Sequence, residues 1–149
     1  MDDPILITTD RFKQGFSCSQ SLFSAFAPQF GLSSEIASRI ASPFGGGIAR
    51  QGDTCGAVTG ALMALALKYG PGIDETNNAI YQVSQEFLHR FKSKHAYIQC
   101  RQLIDFDLSH PAELEAARKS KVFNNICPLL VRTAAEIVRS MLDSDSSSL

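Results

Sequence analysis

The sequence predicts an all-α fold: a single compact helical domain of about six or seven helices around a buried central helix. Two observations carry this expectation. Apolar residues recur at helical spacing along almost the whole chain, and no stretch alternates apolar and polar residues with the β-branched bias of a strand. A third observation sets the scale: 149 residues, 44% of them apolar, suffice for one proper core and not for two large domains.

The elements follow in order. The first helix is expected to begin between Gly15 and Ser17 and to carry Phe16, Leu22, Phe23 and Phe26 before Pro28 and Gly31 end it. Ser33 or Ser34 caps the second, whose apolar stripe reads Ile36, Ala37 and Ile40. Pro43 and the triplet Gly45-Gly46-Gly47 then open a loop that runs to Asp53-Thr54, both good N-cap residues. From about Cys55 to Tyr69 the chain is apolar on nearly every side, as a central helix would be, and Gly70-Pro71-Gly72 stops it. Asp74 starts a long amphipathic helix with Ile80, Val83, Phe87 and Phe91 on one face and Gln82, Gln85, Glu86 and Arg90 in water. A short helix holds Cys100 to Ile104, and Ser109-His110-Pro111 starts another with Leu114 and Ala117 inward. Asn124 to Pro128 leads into the last, which carries Leu129, Leu130, Ala134, Ile137, Val138 and Met141. The domain is therefore expected over residues 1–142, and the Asp/Ser run of 143–149, with nothing to bury, as a disordered tail.

Charge and patterning exclude several function classes. Lys plus Arg is 14 against 15 for Asp plus Glu, so no field of one sign exists to hold a nucleic acid. The opening Met1-Asp2-Asp3-Pro4 is acidic, and no secretory pattern follows it, which points to a cytoplasmic protein. The longest apolar run, Gly56 to Leu67, is interrupted by Thr59 and falls short of the roughly 18 to 20 residues that span a bilayer, so membrane insertion is not expected.

Four lone cysteines remain: Cys18, Cys55, Cys100 and Cys127. No Cys-x-x-Cys pair occurs, so neither a local metal knuckle nor a thioredoxin-like motif is present, and any cooperation among the sulfurs must come from the tertiary fold. The bland alternative is four unrelated buried thiols. Several of the four fall at predicted helix starts, however. Cys55 follows Asp53-Thr54, Cys127 precedes a proline that favours the first helical position, Cys18 lies in the first turn or two of its helix, and Cys100 opens a short one. Free N–H groups and the positive end of the helix dipole favour thiolate there, and the thiolate is both the nucleophile and the metal ligand.

Glycines supply a second clue. Gly56 and Gly60 stand one helical turn apart in a segment otherwise rich in Ala and Leu, at a cost of about 1 kcal/mol each, which close approach of a neighbouring helix or of a bound group can offset. The Gly45, Gly46, Gly47 run lacks the Gly-Lys-Ser/Thr ending of a phosphate loop and follows no strand, so it reads better as a hinge beside Cys55. Together Gly45, Gly46, Gly47, Gly56 and Gly60 are the candidates for backbone lying against a cofactor or substrate.

A lone Cys18, the stretch Pro43-Phe44-Gly45-Gly46-Gly47, the hexapeptide Cys55-Gly56-Ala57-Val58-Thr59-Gly60, Leu67-Lys68-Tyr69-Gly70 and two further lone cysteines, Cys100 and Cys127, form a fairly specific pattern. It resembles the redox-active family labelled C_GCAxxG_C_C, over about Phe16 to Met141. The resemblance implies a small, mainly helical protein with a redox function, and all four family cysteines have counterparts here.

Two mechanisms fit these residues. In the first, thiol–disulfide or electron-transfer chemistry centres on Cys55 as the attacking sulfur, with Cys18, Cys100 or Cys127 resolving the intermediate, and the partner is a redox protein or a small thiol. In the second, all four thiolates hold zinc or an iron–sulfur cluster in a sensing or structural role. A third reading is non-catalytic, a helical interaction module or homodimer with core cysteines. Arg118-Lys119-Lys121 and Lys92-Lys94 read as solvated faces. His89, His95 and His110 read as surface or capping groups. Asp53 near Cys55 would raise that thiol's pKa and Arg50 would lower it. Hydrolase arrangements find no support.

Overall fold

A computed structural model describes residues 2–147, with side chains to residue 144. The all-α expectation holds. Among the described residues no strand occurs, and the extended pairing present is an isolated antiparallel bridge between Thr54 and Gln99. The helices are α1 (Pro4–Lys13), α2 (Cys18–Phe26), α3 (Ser34–Ala41), α4 (Gly56–Tyr69), α5 (Ala79–His95), α6 (Cys100–Ile104), α7 (Pro111–Ser120), α8 (Val122–Asn125) and α9 (Cys127–Ser147). None is long and apolar enough to cross a membrane among the described residues.

Two helices exceed the expected set. Helix α1 starts where Asp3 accepts a hydrogen bond from the Ile5 N–H at 2.9 Å and Pro4 takes the first turn. Arg139 of α9 reaches the same Asp3 carboxylate at 2.7 Å and ties α1 to the last helix. The four-residue α8 is the other addition. Helix α9 also continues past Leu142 to Ser147, while residues 148 and 149 of the expected tail lie outside the described residues.

Three local expectations are corrected. Ser33 does cap α3, accepting from the Ile36 N–H, but Ile36 and Ile40 are 50% and 46% exposed; Ala37 and Ala41 make the buried face, because small side chains let α3 lie close to α2. Helix α5 begins at Ala79 rather than Asp74: Asn77 accepts from the Ala79 N–H, and residues 74–77 stay outside the helix. The N-cap of α4 is Cys55 itself, not Asp53 or Thr54.

Helices α1, α2, α4, α5 and α9 share the main core, in which Phe26, Phe87 and Phe91 are fully buried and each contributes about 2 kcal/mol of apolar burial. Helix α4 is covered along its first ten residues by α2, α5 and α9, as expected of a central helix. A second, smaller cluster gathers Ile104, Leu108, Ala117 and Val122 of the α6–α8 region with Cys100 and Cys127. Cys18 packs against both clusters, which places it at their seam.

Candidate functional site

All four cysteines line one cavity of about 250 Å³ at that seam. Each also stands at a helix start: Cys18 is the first residue of α2, Cys55 the N-cap of α4, and Cys100 and Cys127 the first residues of α6 and α9. Cys55, Cys100 and Cys127 are buried, Cys18 is half-buried, and all are free thiols.

Local sequence explains each placement. Ser17 and Gln20 form a reciprocal capping box, Ser17 Oγ accepting from the Gln20 N–H and Gln20 Oε1 accepting from the Ser17 N–H, which fixes the start of α2 and hence Cys18. Cys55 and Cys100 are brought together by backbone pairing. The Cys55 N–H donates to Ile98 O at 2.7 Å and the Cys100 N–H to Asp53 O at 2.6 Å, on either side of the Thr54–Gln99 bridge.

The glycines divide into two groups. Gly46, Gly47 and Gly56 line the cavity with the sulfurs. A Cβ on Gly47 would lie 2.7 Å from the Cys100 Cβ, and one on Gly56 would lie 2.9 Å from the Ser19 nitrogen and 3.1 Å from the Cys18 Cβ. Gly60 and Gly45 lie off the cavity wall. A Cβ on Gly60 would meet Ser19 O at 2.9 Å, and one on Gly45 would meet the Ser17 Cβ at 3.1 Å. The Gly56/Gly60 spacing therefore serves the crossing of α2 on α4, and that crossing is what brings Cys18 to Cys55.

The loop before α4 is strained. Gly46, Gly47, Ile48, Ala49 and Arg50 all have positive φ, between 50° and 73°. Glycine adopts this region freely, whereas Ile48, Ala49 and Arg50 each pay on the order of 1–2 kcal/mol for it. The run is held by Ala49 N–H to Pro43 O at 2.7 Å, Arg50 N–H to Gly45 O at 3.0 Å and Asp53 N–H to Gly47 O at 2.8 Å. It is a braced turn rather than a loose hinge, and it delivers Arg50 to the cavity.

Electrostatics separate Cys18, Cys55 and Cys100. The S–H of Cys18 turned toward Cys55 lowers the Cys55 pKa against the opposing effect of burial, and the Ala57 and Val58 N–H groups of the first turn lower it further. No side chain caps this helix end, although the Val58 N–H also donates to Cys55 O at 2.9 Å. Cys18 is pushed well above its ordinary value by hydrogen bonding to Cys127 and then to Cys55, with burial adding to it. Burial is also the main reason that Cys100 is pushed up to about 12, helped by the nearby Cys55, Cys127 and Asp107.

Asp53 does not act on this site. Its carboxylate lies 3.7 Å from Arg101 at the surface. The three histidines are absent from the cavity wall: His95 bonds Thr133, and its pKa is lowered by burial and by Lys94, while His110 begins α7 and pairs with Asp107. Arg118 is exposed, as its reading as a solvated charge expects, and it also lines the cavity with Phe12, Leu114 and Phe123. The signal was present in its spacing, since Arg118 lies four residues after the inward Leu114 and shares its helix face.

Four thiolates around one Zn²⁺, at about 2.3 Å each, must stand less than about 4 Å apart. Among the described residues, the group with ligand atoms all within 4.8 Å of one another is Asp107, His110 and Glu113; the cysteines do not form such a group.

The sequence profile of the family described as "Putative redox-active protein (C_GCAxxG_C_C)" matches residues 16–141, the span that contains all four cysteines and both cavity arginines. No curated protein and no solved structure matches the chain.

Proposed function

The chain belongs to the C_GCAxxG_C_C family, and from that membership we propose that it is a dithiol redox protein in which Cys55 attacks and Cys18 resolves. The observation that carries this reading is the meeting of Cys18 and Cys55 at two helix starts on the wall of one cavity. The Cys55 thiolate attacks one sulfur of a disulfide oxidant, the S–S bond breaks, and one thiolate leaves. Cys18 then gives up its proton and attacks Cys55 Sγ, releasing the second thiolate and forming the Cys18–Cys55 disulfide. Two electrons pass from the protein dithiol to the oxidant. Cys18 is preferred as the resolving sulfur for its hydrogen-bond contact with Cys55, not for its acidity, since its thiol is raised as that of Cys100 is.

The test is a thiol count with metal and acid-labile sulfide analysis on anaerobically purified protein, followed by mild oxidation and peptide mapping. Loss of two thiols with a Cys18–Cys55 linkage is the expected result. Bound iron and sulfide with no free thiols would overturn it in favour of a cluster held by all four cysteines, and four inert free thiols would return the protein to a structural role.

A further inference from the structure

Two arginines, Arg50 and Arg118, both exposed, line the cavity, and no carboxylate does. The chain has eight arginines, and the other six have partners: Arg39, Arg90, Arg101, Arg132 and Arg139 pair with Glu or Asp, and Arg11 bonds the Ser24 and Ser34 hydroxyls. Neither Arg50 nor Arg118 has a carboxylate within 4.0 Å among the described residues. The two come from different elements, the braced turn before α4 and the last turn of α7, and converge on the same space. Gly46 makes room for one of them, since a Cβ there would lie 2.8 Å from Arg50 Cγ. Apart from Ser17 and the glycines the rest of the wall is apolar or sulfur, so a ligand's negative charge has these two cationic partners and a ligand's positive charge meets no carboxylate.

Resting on the thiol–disulfide reading above, we infer that the cavity takes a small organic disulfide bearing negative charge, held by Arg50 and Arg118 while Cys55 attacks its sulfur. Size agrees with this class: 250 Å³ equals the liquid volume of about eight waters, room for a small molecule and not for a folded protein segment. The exchange is balanced as before, with the anionic disulfide reduced to two thiols and the protein oxidised to the Cys18–Cys55 disulfide.

Three disulfides of similar length and different charge test this: 3,3′-dithiodipropionate (dianionic), bis(2-hydroxyethyl) disulfide (neutral) and cystamine (dicationic). Rates of reaction with the reduced full chain at pH 7 are each divided by the rate of 2-mercaptoethanol, a thiol with no other charge, with the same disulfide, which corrects for intrinsic reactivity. The normalised rate for the dianion should exceed that for the dication by about tenfold or more at low salt and lose most of that margin at 1 M salt. The double variant Arg50→Asn, Arg118→Gln should reduce the ratio at least about fivefold at low salt. Asn is chosen because it tolerates the left-handed backbone at position 50. Equal normalised rates, a preference for the dication, or a ratio unchanged in the double variant would overturn the substrate class while leaving the dithiol reading intact. Failure of Cys55 to react with any of the three would overturn the dithiol reading instead.

Discussion

The α2/α4 junction and a second junction, the smaller core cluster at the starts of α6 and α9, each present two cysteines to the same cavity, yet they prepare them differently. At the first junction two glycines let the helices touch, a Cys18 S–H faces Cys55, and the Ala57 and Val58 N–H groups complete a setting that favours thiolate. At the second, Cys100 opens a helix of only five residues and is desolvated, and its pKa rises to about 12. A helix start is therefore not sufficient to activate a thiol. The sulfur must also face the free N–H groups of a helix long enough to matter and be given a donor, or burial prevails.

The comparison breaks most visibly in alkylation rates. A thiol near 12 has about a thousandfold less thiolate at pH 7 than one at the ordinary 9.0, while Cys55 has more. Iodoacetamide at pH 7 should therefore modify Cys55 at least about a thousandfold faster than Cys100. Peptide mapping at short times reads this directly, and rates within tenfold of each other would erase the distinction between the junctions.

Alkaline stability separates them next. The folded pKa of Cys100 lies above its unfolded value, so its contribution to stability is fully present below pH 9 and is lost as the pH rises toward about 12, while the unfolded chain ionises and the folded one does not. The limiting slope for one such proton is about 1.4 kcal/mol per pH unit. Denaturant titrations from pH 8 to 12 should show a flatter decline in Cys100→Ala than in the wild type, with the residual slope owed in part to Cys18, which is raised in the same direction. Cys55 has the opposite sign: its contribution is present above the ordinary thiol value and is lost as pH falls through its lowered one. An unchanged slope in Cys100→Ala would show that its burial does not hold the proton.

Much of this was readable before the structure. Asp-Thr-Cys-Gly and Cys-Pro marked two helix starts, and the lone cysteines at separate starts anticipated one site. What escaped has physical causes. Asp3-Pro4 is a good helix start, but the helix behind it buries only Thr8 and so lacks a clear apolar stripe. Ile36 and Ile40 fit an apolar stripe that the packing of α3 does not use, because close approach to α2 favours Ala37 and Ala41. The left-handed run from Gly46 to Arg50 has only two glycines, so its last three residues carry no local signal and are set by the hydrogen bonds that brace the turn.

Packing at the first junction is sharpened by its glycines. In an open helix Gly→Ala stabilises by about 1 kcal/mol, whereas overpacking costs about 1–3 kcal/mol. A Cβ at Gly60 would stand 2.9 Å from a backbone oxygen that belongs to α2 and cannot swing aside as a side-chain end could. Gly60→Ala should therefore destabilise, lowering Tm by about 2–6 °C. Gly56→Ala should in addition slow Cys55 labelling, because its new methyl group presses on Ser19 and Cys18. A rise in Tm for Gly60→Ala would mean that the crossing has slack and that the spacing of Cys18 and Cys55 rests on something else.

The smallest expected effect lies just outside the contrast and tests its edge. Asp53 is two residues from Cys55, close enough in sequence for its charge to be expected to oppose a thiolate. Its carboxylate instead faces Arg101, with both side chains about half exposed, and is not among the groups that shift Cys55. An exposed pair of this kind contributes less than about 1 kcal/mol. Asp53→Asn should thus change stability by no more than that and leave the pH dependence of Cys55 labelling in place. Its backbone, which accepts from Cys100 and donates to Gly47, is untouched by the substitution. A Cys55 profile displaced toward lower pH in Asp53→Asn would show that the carboxylate reaches the sulfur after all. The Cys55 thiolate would then be balanced against Asp53 as well as favoured by Cys18 and the α4 N–H groups.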